Sequence, residues 1–328
     1  MTDHDPNFEP GPSLPIEHGV PIDTGEIVFE VDMAGDPASR KLALFLHGFP
    51  ELAYSWRHQI PVLAERGYRV WAPNLRGYGR TTRPVGRRAY ATDRLVDDVR
   101  RLIEAAGAES VTLIGHDWGG ILAWLFALVK PIPIERLVVM NLPHPTLFRR
   151  GLRTWKQGRR SWYGLFFQIP WLPEKVLASG DGRAFAEMFQ SMAIDKTRFP
   201  HEVTEVYRRH ALEPGAITAM INWYRGLAFM PKAWRELIAS PPRIEVPTLL
   251  LWGEEDVALG RELTFGTEEL VADLTLRYLP GVSHWVQQEA PETVNAMLGA
   301  WLDGLPVPES ASLGGMAPGL RQRPPDLR

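Results

Sequence analysis

The stretch Val111-Thr112-Leu113-Ile114-Gly115-His116-Asp117-Trp118-Gly119-Gly120-Ile121-Leu122-Ala123-Trp124 passes from a short apolar run, through a glycine-flanked polar turn, into a second apolar run. Val111–Ile114 suits a buried strand, and the run from Ile121 to Val129, the longest fully apolar one in the chain, suits a buried helix. A strand that enters a helix across Gly115-His116-Asp117-Trp118-Gly119 must turn tightly, and flanking glycines remove side chains that would clash there. Such a turn lifts the central Asp117 side chain off the carboxyl edge of a sheet, at a helix N-terminus whose partial positive charge favours an anion. This is the pattern of a nucleophile elbow, with aspartate where serine usually stands.

Working outward, Glu26–Val31 alternates polar and apolar residues, while Leu42–Leu46, Arg69–Ala72, Leu137–Met140, Thr248–Trp252 and a stretch near Thr275–Leu279 read as further strands. Helical spacing intervenes at Ala91–Ala106 and closes the series at Pro291–Leu302. The alternation predicts an α/β fold with a mostly parallel central sheet and helices on both faces. It breaks between Pro143 and Pro242, a stretch crowded with aromatics at helical spacing and too long for an ordinary connection. That stretch reads as an inserted helical cap. The expected organisation is a flexible tail over 1–20, core over 21–142, cap over 143–242, core again over 243–304, and a second flexible tail over 305–328.

Composition narrows the function. The 328 residues carry 36 Lys and Arg against 39 Asp and Glu, a net charge of −3, which argues against nucleic-acid or membrane partners recruited by charge. No cysteine is present, so disulfides, thiolate metal sites and Cys nucleophiles are excluded. The opening residues hold no charged-then-apolar signal segment, and a cytoplasmic location is expected. Two basic groups, Arg149, Arg150, Arg153, Lys156, Arg159 and Arg160, then Arg80, Arg83, Arg87 and Arg88, are read as solvated surface. Twelve tryptophans, several in the cap, suggest an apolar aromatic-lined pocket for a small molecule. A homodimer is left open.

An aspartate elbow speaks to the substrate. Serine displacing a leaving group from a saturated carbon would form an ether that water does not readily reverse. A carboxylate forms an ester instead, and hydrolysis at its own carbonyl releases the product. Epoxides and alkyl halides are the fitting electrophiles. The turn His47-Gly48-Phe49-Pro50 follows an early strand, so the N–H groups of Phe49 and Trp118 would form an oxyanion hole at the Asp117 carboxyl. Gly253-Glu254-Glu255-Asp256 and Gly281-Val282-Ser283-His284-Trp285 each follow a strand. In this order His284 would be the general base and Asp256 the group that orients it, with Glu254 or Glu255 as alternative acids.

With those motifs assembled, the sequence resembles the epoxide hydrolases of the α/β-hydrolase superfamily over roughly Gly25 to Leu305. The resemblance implies an α/β-hydrolase fold with a cap, no cofactor and no metal. It also implies two cap tyrosines that donate hydrogen bonds to the epoxide oxygen. Tyr224 stands in Asn222-Trp223-Tyr224-Arg225, and Tyr163 opens the run to Pro170 that matches the second tyrosine motif. His47, Pro50, Trp118, Trp223 and Trp285, within or beside these motifs, are expected to touch substrate. Haloalkane dehalogenases share the Asp elbow but resemble an Asn at the position of Phe49, and fluoroacetate dehalogenases carry Arg at that of Trp118. A ligand-binding homologue without chemistry would have lost the nucleophile, acid or base, and all three residue types are present.

Overall fold

A computed structural model describes residues 15–313. One eight-stranded sheet organises them, in the order β1-β2-β4-β3-β5-β6-β7-β8. The strands are β1 (Glu17–Asp23), β2 (Val28–Ala34), β3 (Lys41–Leu46), β4 (Arg69–Pro73), β5 (Ser110–His116), β6 (Arg136–Met140), β7 (Thr248–Gly253) and β8 (Leu274–Leu279). β1 pairs antiparallel with β2 and β2 with β4; every pair from β4 onward is parallel.

Strand β3 illustrates why these sequences are so uniformly apolar. Leu42, Leu44 and Leu46 belong to one buried cluster, whereas Ala43 and Phe45 belong to the other. Side chains alternate across a strand, so a strand covered on both faces needs apolar residues at every position. One face is covered by α2 (Thr92–Ala106) and α3 (Trp118–Val129), through Leu95, Val99, Leu102, Leu122 and Trp124. On the other lie α1 (Ile60–Ala64) and, at the chain's far end, α13 (Pro291–Leu302), through Ile60, Leu63, Val294, Met297 and Leu298. Helix α2 ends where Gly107 adopts a left-handed conformation, φ +59°, the usual glycine stop.

Seven helices stand between β6 and β7: α4 (Pro145–Gly151), α5 (Trp155–Arg160), α6 (Trp162–Phe166), α7 (Leu172–Met192), α8 (His201–Ala211), α9 (Ala216–Gly226) and α10 (Lys232–Ala239). The backbone of α7 leaves helical geometry at Ser179–Gly182. The short helices α11 (Thr267–Leu270) and α12 (Val286–Glu289) complete the described chain.

Three expectations need correction. β1 begins at Glu17, inside the stretch read as a flexible tail; the rest of that stretch lies outside the described residues up to residue 14. At the other end, Ser310–Leu313 forms a single 3₁₀ turn, and 314–328 lie outside the described residues. Arg83 is not free surface: it donates to the carbonyls of Gly77, Gly79 and Pro214 and pairs with Glu213, tying the loop after β4 to the α8–α9 connection.

Candidate active site

The turn between β5 and α3 places Asp117 at φ +47°, ψ −119°, a conformation that costs a non-glycine residue about 1–3 kcal/mol. Its neighbours make that turn possible. A Cβ on Gly119 would lie 2.0 Å from the Leu46 carbonyl oxygen, and one on Gly48 would lie 2.5 Å from the Asp117 Cβ. Asp117 thus stands against the β3 turn, and its Oδ1 accepts the Phe49 N–H at 2.9 Å. The Trp118 amide opens α3, where it has no intrahelical acceptor. Its indole edge meets the Tyr224 ring at 4.9 Å between centroids.

Asp117 Oδ2 is 3.7 Å from His284 Nε2, and His284 Nδ1 lies 2.6 Å from Asp256 Oδ2. Asp256 is fixed from three sides: its Oδ1 accepts the Ala258 and Leu259 amides, and its Oδ2 accepts Asn141 Nδ2 at 2.8 Å. Glu254 pairs with Arg261 and Glu255 is exposed, so Asp256 is the member of that loop that meets the imidazole. Burial alone would raise the Asp117 pKa, but the facing His284 imidazole holds it below the ordinary carboxylate value. Burial likewise opposes the imidazolium, yet Asp256 and Asp117 together push His284 up to about 10. The pair is therefore an ion pair at rest, with carboxylate facing imidazolium.

Asp117, Trp118, Tyr163 and Tyr224 line a cavity of about 370 Å³ whose other walls include Ile121, Leu142, Phe148 and Leu165. A second opening of about 190 Å³ shares Asp117 and both tyrosines and adds Phe49, Phe167, His284 and Trp285. The two tyrosine rings are 6.0 Å apart. Burial, then the neighbouring Asp117 charge, raises the Tyr163 pKa; burial is also the main cause for Tyr224, pushed well above its ordinary value. Both phenols therefore keep their protons at neutral pH. Arg225 sets the spacing, since it donates to the Phe167 and Ile169 carbonyls and pairs with Glu174, clamping the chain after Tyr163 to α9.

Of the five residues expected to touch substrate, Trp118 and Trp285 line these cavities and three do not. His47 is fully buried, its Nδ1 at the Gly48 carbonyl and its Nε2 accepting the Leu75 amide; burial pushes its pKa down to about 4. Pro50 is buried in the same turn, beyond the cavity walls. Trp223 is buried behind Tyr224 and donates its indole N–H to the Arg76 carbonyl. Nor do Trp155, Trp162 and Trp171 line a pocket; they are exposed to solvent.

The sequence reading passed over a buried polar frame beneath the site. Glu51, fully buried, accepts the Gly48 amide and lies 2.7 Å from His116 Nδ1, while His116 Nε2 reaches the His284 carbonyl at 2.8 Å. Gln287 and Gln288 both donate to the other Glu51 oxygen. Burial would raise the Glu51 pKa, and the His116 charge reverses this, leaving the carboxyl below its ordinary value. Asn141, just past β6, adopts φ +41° and joins Gly253 to Asp256 through its side chain. Glu289 accepts the Ile194 and Asp195 amides with one oxygen and the Ser283 amide with the other. The available signals were local: Glu51 directly follows the Phe49-Pro50 turn, and a polar residue at a strand's carboxyl end marks Asn141. Among the described residues, no group of three or more His, Asp or Glu side chains is arranged to hold a metal ion.

A mostly parallel sheet with a carboxylate on a strained strand-to-helix turn, a histidine–carboxylate pair on later loops and an amide at the carboxylate oxygen define a hydrolytic centre of one widespread architecture. The chain belongs to the alpha/beta hydrolase fold family, whose sequence profile matches residues 43–291. Within it, epoxide hydrolase 4 of Homo sapiens is 36% identical over 306 residues, covering 92% of this chain and 82% of that protein. The AB hydrolase superfamily protein YfhM of Bacillus subtilis (strain 168) is 36% identical over 279 residues, covering 84% of this chain and 95% of that one. The crystal structure of Bacillus megaterium epoxide hydrolase in complex with an inhibitor superposes with a TM-score of 0.78 at 29% identity, covering 87% of this chain and 100% of that one.

Proposed function

We propose that this chain is a cofactor-independent epoxide hydrolase that turns an epoxide and water into a vicinal diol through an alkyl ester on Asp117. One observation carries the reading: a single carboxylate has one oxygen on a backbone amide and the other facing an imidazole, under two protonated phenols that share its cavity. The division of labour between the two oxygens follows. Oδ1 is held by Phe49, so Oδ2 is free to bond to the epoxide carbon. The breaking C–O pair passes to the ring oxygen, which Tyr163 and Tyr224 hydrogen-bond and protonate. The helices between β6 and β7 act as a cap that carries these donors, and the mostly apolar walls favour an apolar epoxide.

Esterification removes the Asp117 charge, and with it part of what holds the proton on His284. That proton passes through solvent to the tyrosine oxygen left deprotonated by ring opening, and the neutral imidazole then takes a proton from water, which adds to the Asp117 carboxyl carbon; the imidazolium so formed returns that proton to the departing diol oxygen. Negative charge gathers on Oδ1 beside the Phe49 and Trp118 amides, and collapse of that intermediate frees the diol. Asp256 keeps the imidazole in the required tautomer, and Asn141 keeps Asp256 in place.

The test is to trap the ester. Incubation of His284→Gln with styrene oxide should give intact protein heavier by one substrate mass, with hydrolysis slowed by at least about 10⁴-fold. If the variant stays unmodified while the wild-type enzyme makes diol, water attacks the epoxide directly and the covalent route is wrong.

A further inference from the structure

The proposed chemistry makes no use of the outward face of α5, α6 and the start of α7. Between Pro143 and Ala178 the chain has seven arginines and lysines against one acid, Glu174, although the whole protein is slightly negative. Glu174 is taken up by Arg225, and Lys156 and Arg160 share Glu262. Arg150, Arg153 and Arg159 are exposed and have no acidic partner within ion-pair distance among the described residues, whereas Arg149 is half-buried and donates to the Ala239 carbonyl.

The same stretch carries an unusual share of exposed apolar side chains. Of fourteen large apolar side chains exposed among the described residues, seven fall between Leu152 and Val176. Trp155 is 83% exposed, Leu165 78%, Trp171 64% and Trp162 61%. A tryptophan left in water forgoes one of the largest burial gains open to a side chain, so three within a stretch of seventeen residues, Trp155 to Trp171, mark a surface meant to be covered. The patch is continuous with the proposed active site, because Leu152 and Leu165 also line the cavity that reaches Asp117.

We propose that this face docks on an anionic phospholipid bilayer and sets the cavity mouth against it, so that apolar epoxides enter from the lipid. The indole rings suit the headgroup region, where an apolar body and one N–H donor are both accommodated, and the unpaired guanidiniums suit lipid phosphates and carboxylates. Docking is peripheral: no helix of the described residues is long and apolar enough to cross a membrane. The expectation of no membrane partner came from the net charge. Charges more than about 8–10 Å away are screened at physiological salt, so the local excess sets the attraction. Only the nature of the cargo depends on the epoxide hydrolase reading; the docking face does not.

The full chain is mixed with vesicles of phosphatidylcholine alone, or with about 30 mol% phosphatidylserine, and sedimented. Binding is expected to the anionic vesicles, to weaken with added salt, and to shift tryptophan emission to the blue. Trp155→Ser with Trp162→Ser, and Arg153→Glu with Arg159→Glu, should each weaken partitioning by about tenfold or more. None of the four lines the cavity, so turnover of a water-soluble epoxide should stay at the wild-type level, with unchanged circular dichroism and melting as a folding control. Wild-type protein left in the supernatant, or variants that bind as well as it does, would overturn the proposal. So would a wild-type dimer that the tryptophan variant converts to monomer, which would assign this face to a second copy. Loss of diol formation with vesicle binding intact would count against the catalytic reading alone.

Discussion

Asp117 and Tyr224 face one cavity but are held by different means. Asp117 sits where β5 passes into α3 beside β3, its amide donating to the Met140 carbonyl at the end of β6, its carbonyl accepting the Ile121 amide, and two nearby glycines having neighbours that leave no room for a methyl group. Tyr224 sits on α9, located by ring-edge contacts with Phe49, Trp118 and Phe167, at 5.3, 4.9 and 4.8 Å between centroids, and by the Arg225 clamp. The first arrangement admits almost no displacement. The second is made of aromatic packing and one guanidinium, with no backbone hydrogen bond to the sheet among the described residues. In the proposed reaction, the group that attacks along one line is the one fixed by the sheet, and the groups that meet the departing oxygen are the ones held by aromatic packing.

Gly119→Ala is the harshest way to break this contrast. Its methyl would collide with the Leu46 carbonyl, so the variant should lose about 3 kcal/mol or more of stability in denaturant unfolding; near wild-type stability would mean that the elbow is less constrained than its geometry indicates. Tyr224→Phe should leave folding intact and slow alkylation on the order of 10²-fold, with hydrolysis of the preformed ester little changed. Tyr163→Phe should act in the same direction, and full activity in both variants would remove the tyrosines from the reaction. The mildest test is pH. Asp117 stays ionised and the phenols stay protonated, so single-turnover alkylation should be flat from about pH 5 to 9. Ester hydrolysis requires neutral imidazole; it should fall as pH drops, with a midpoint well below the resting value of about 10, because Asp117 is then uncharged. A midpoint near 10 would mean that Asp256 alone sets the His284 pKa.

The inner parallel strands β3 to β7 were legible because they are buried on both faces and so read as short, mostly apolar runs; the half-buried edge strand β8 was placed only approximately, and the ends of all six agree with the sequence expectation to within two residues. β1 was not, because an edge strand open to solvent carries no such run, and Gly19 and Pro21 inside it read as loop. At the site, Asp117, Asp256 and His284 were legible from chemistry and order, and the structure brings them together. Asn141 was not, since its partners Gly253 and Asp256 are more than a hundred residues away in sequence. His47 and Trp223 show the reverse error. A residue inside a recognisable motif can serve the backbone behind the site, and spacing alone does not separate that duty from contact with substrate.

Glu289 joins the two regions in a single side chain. By gripping the chain just beyond α7 with one oxygen and the residue before His284 with the other, it makes the roof and the base loop parts of one lever. A displacement of the chain at Ile194 and Asp195 would therefore be passed, through one carboxylate, to the residue that precedes His284.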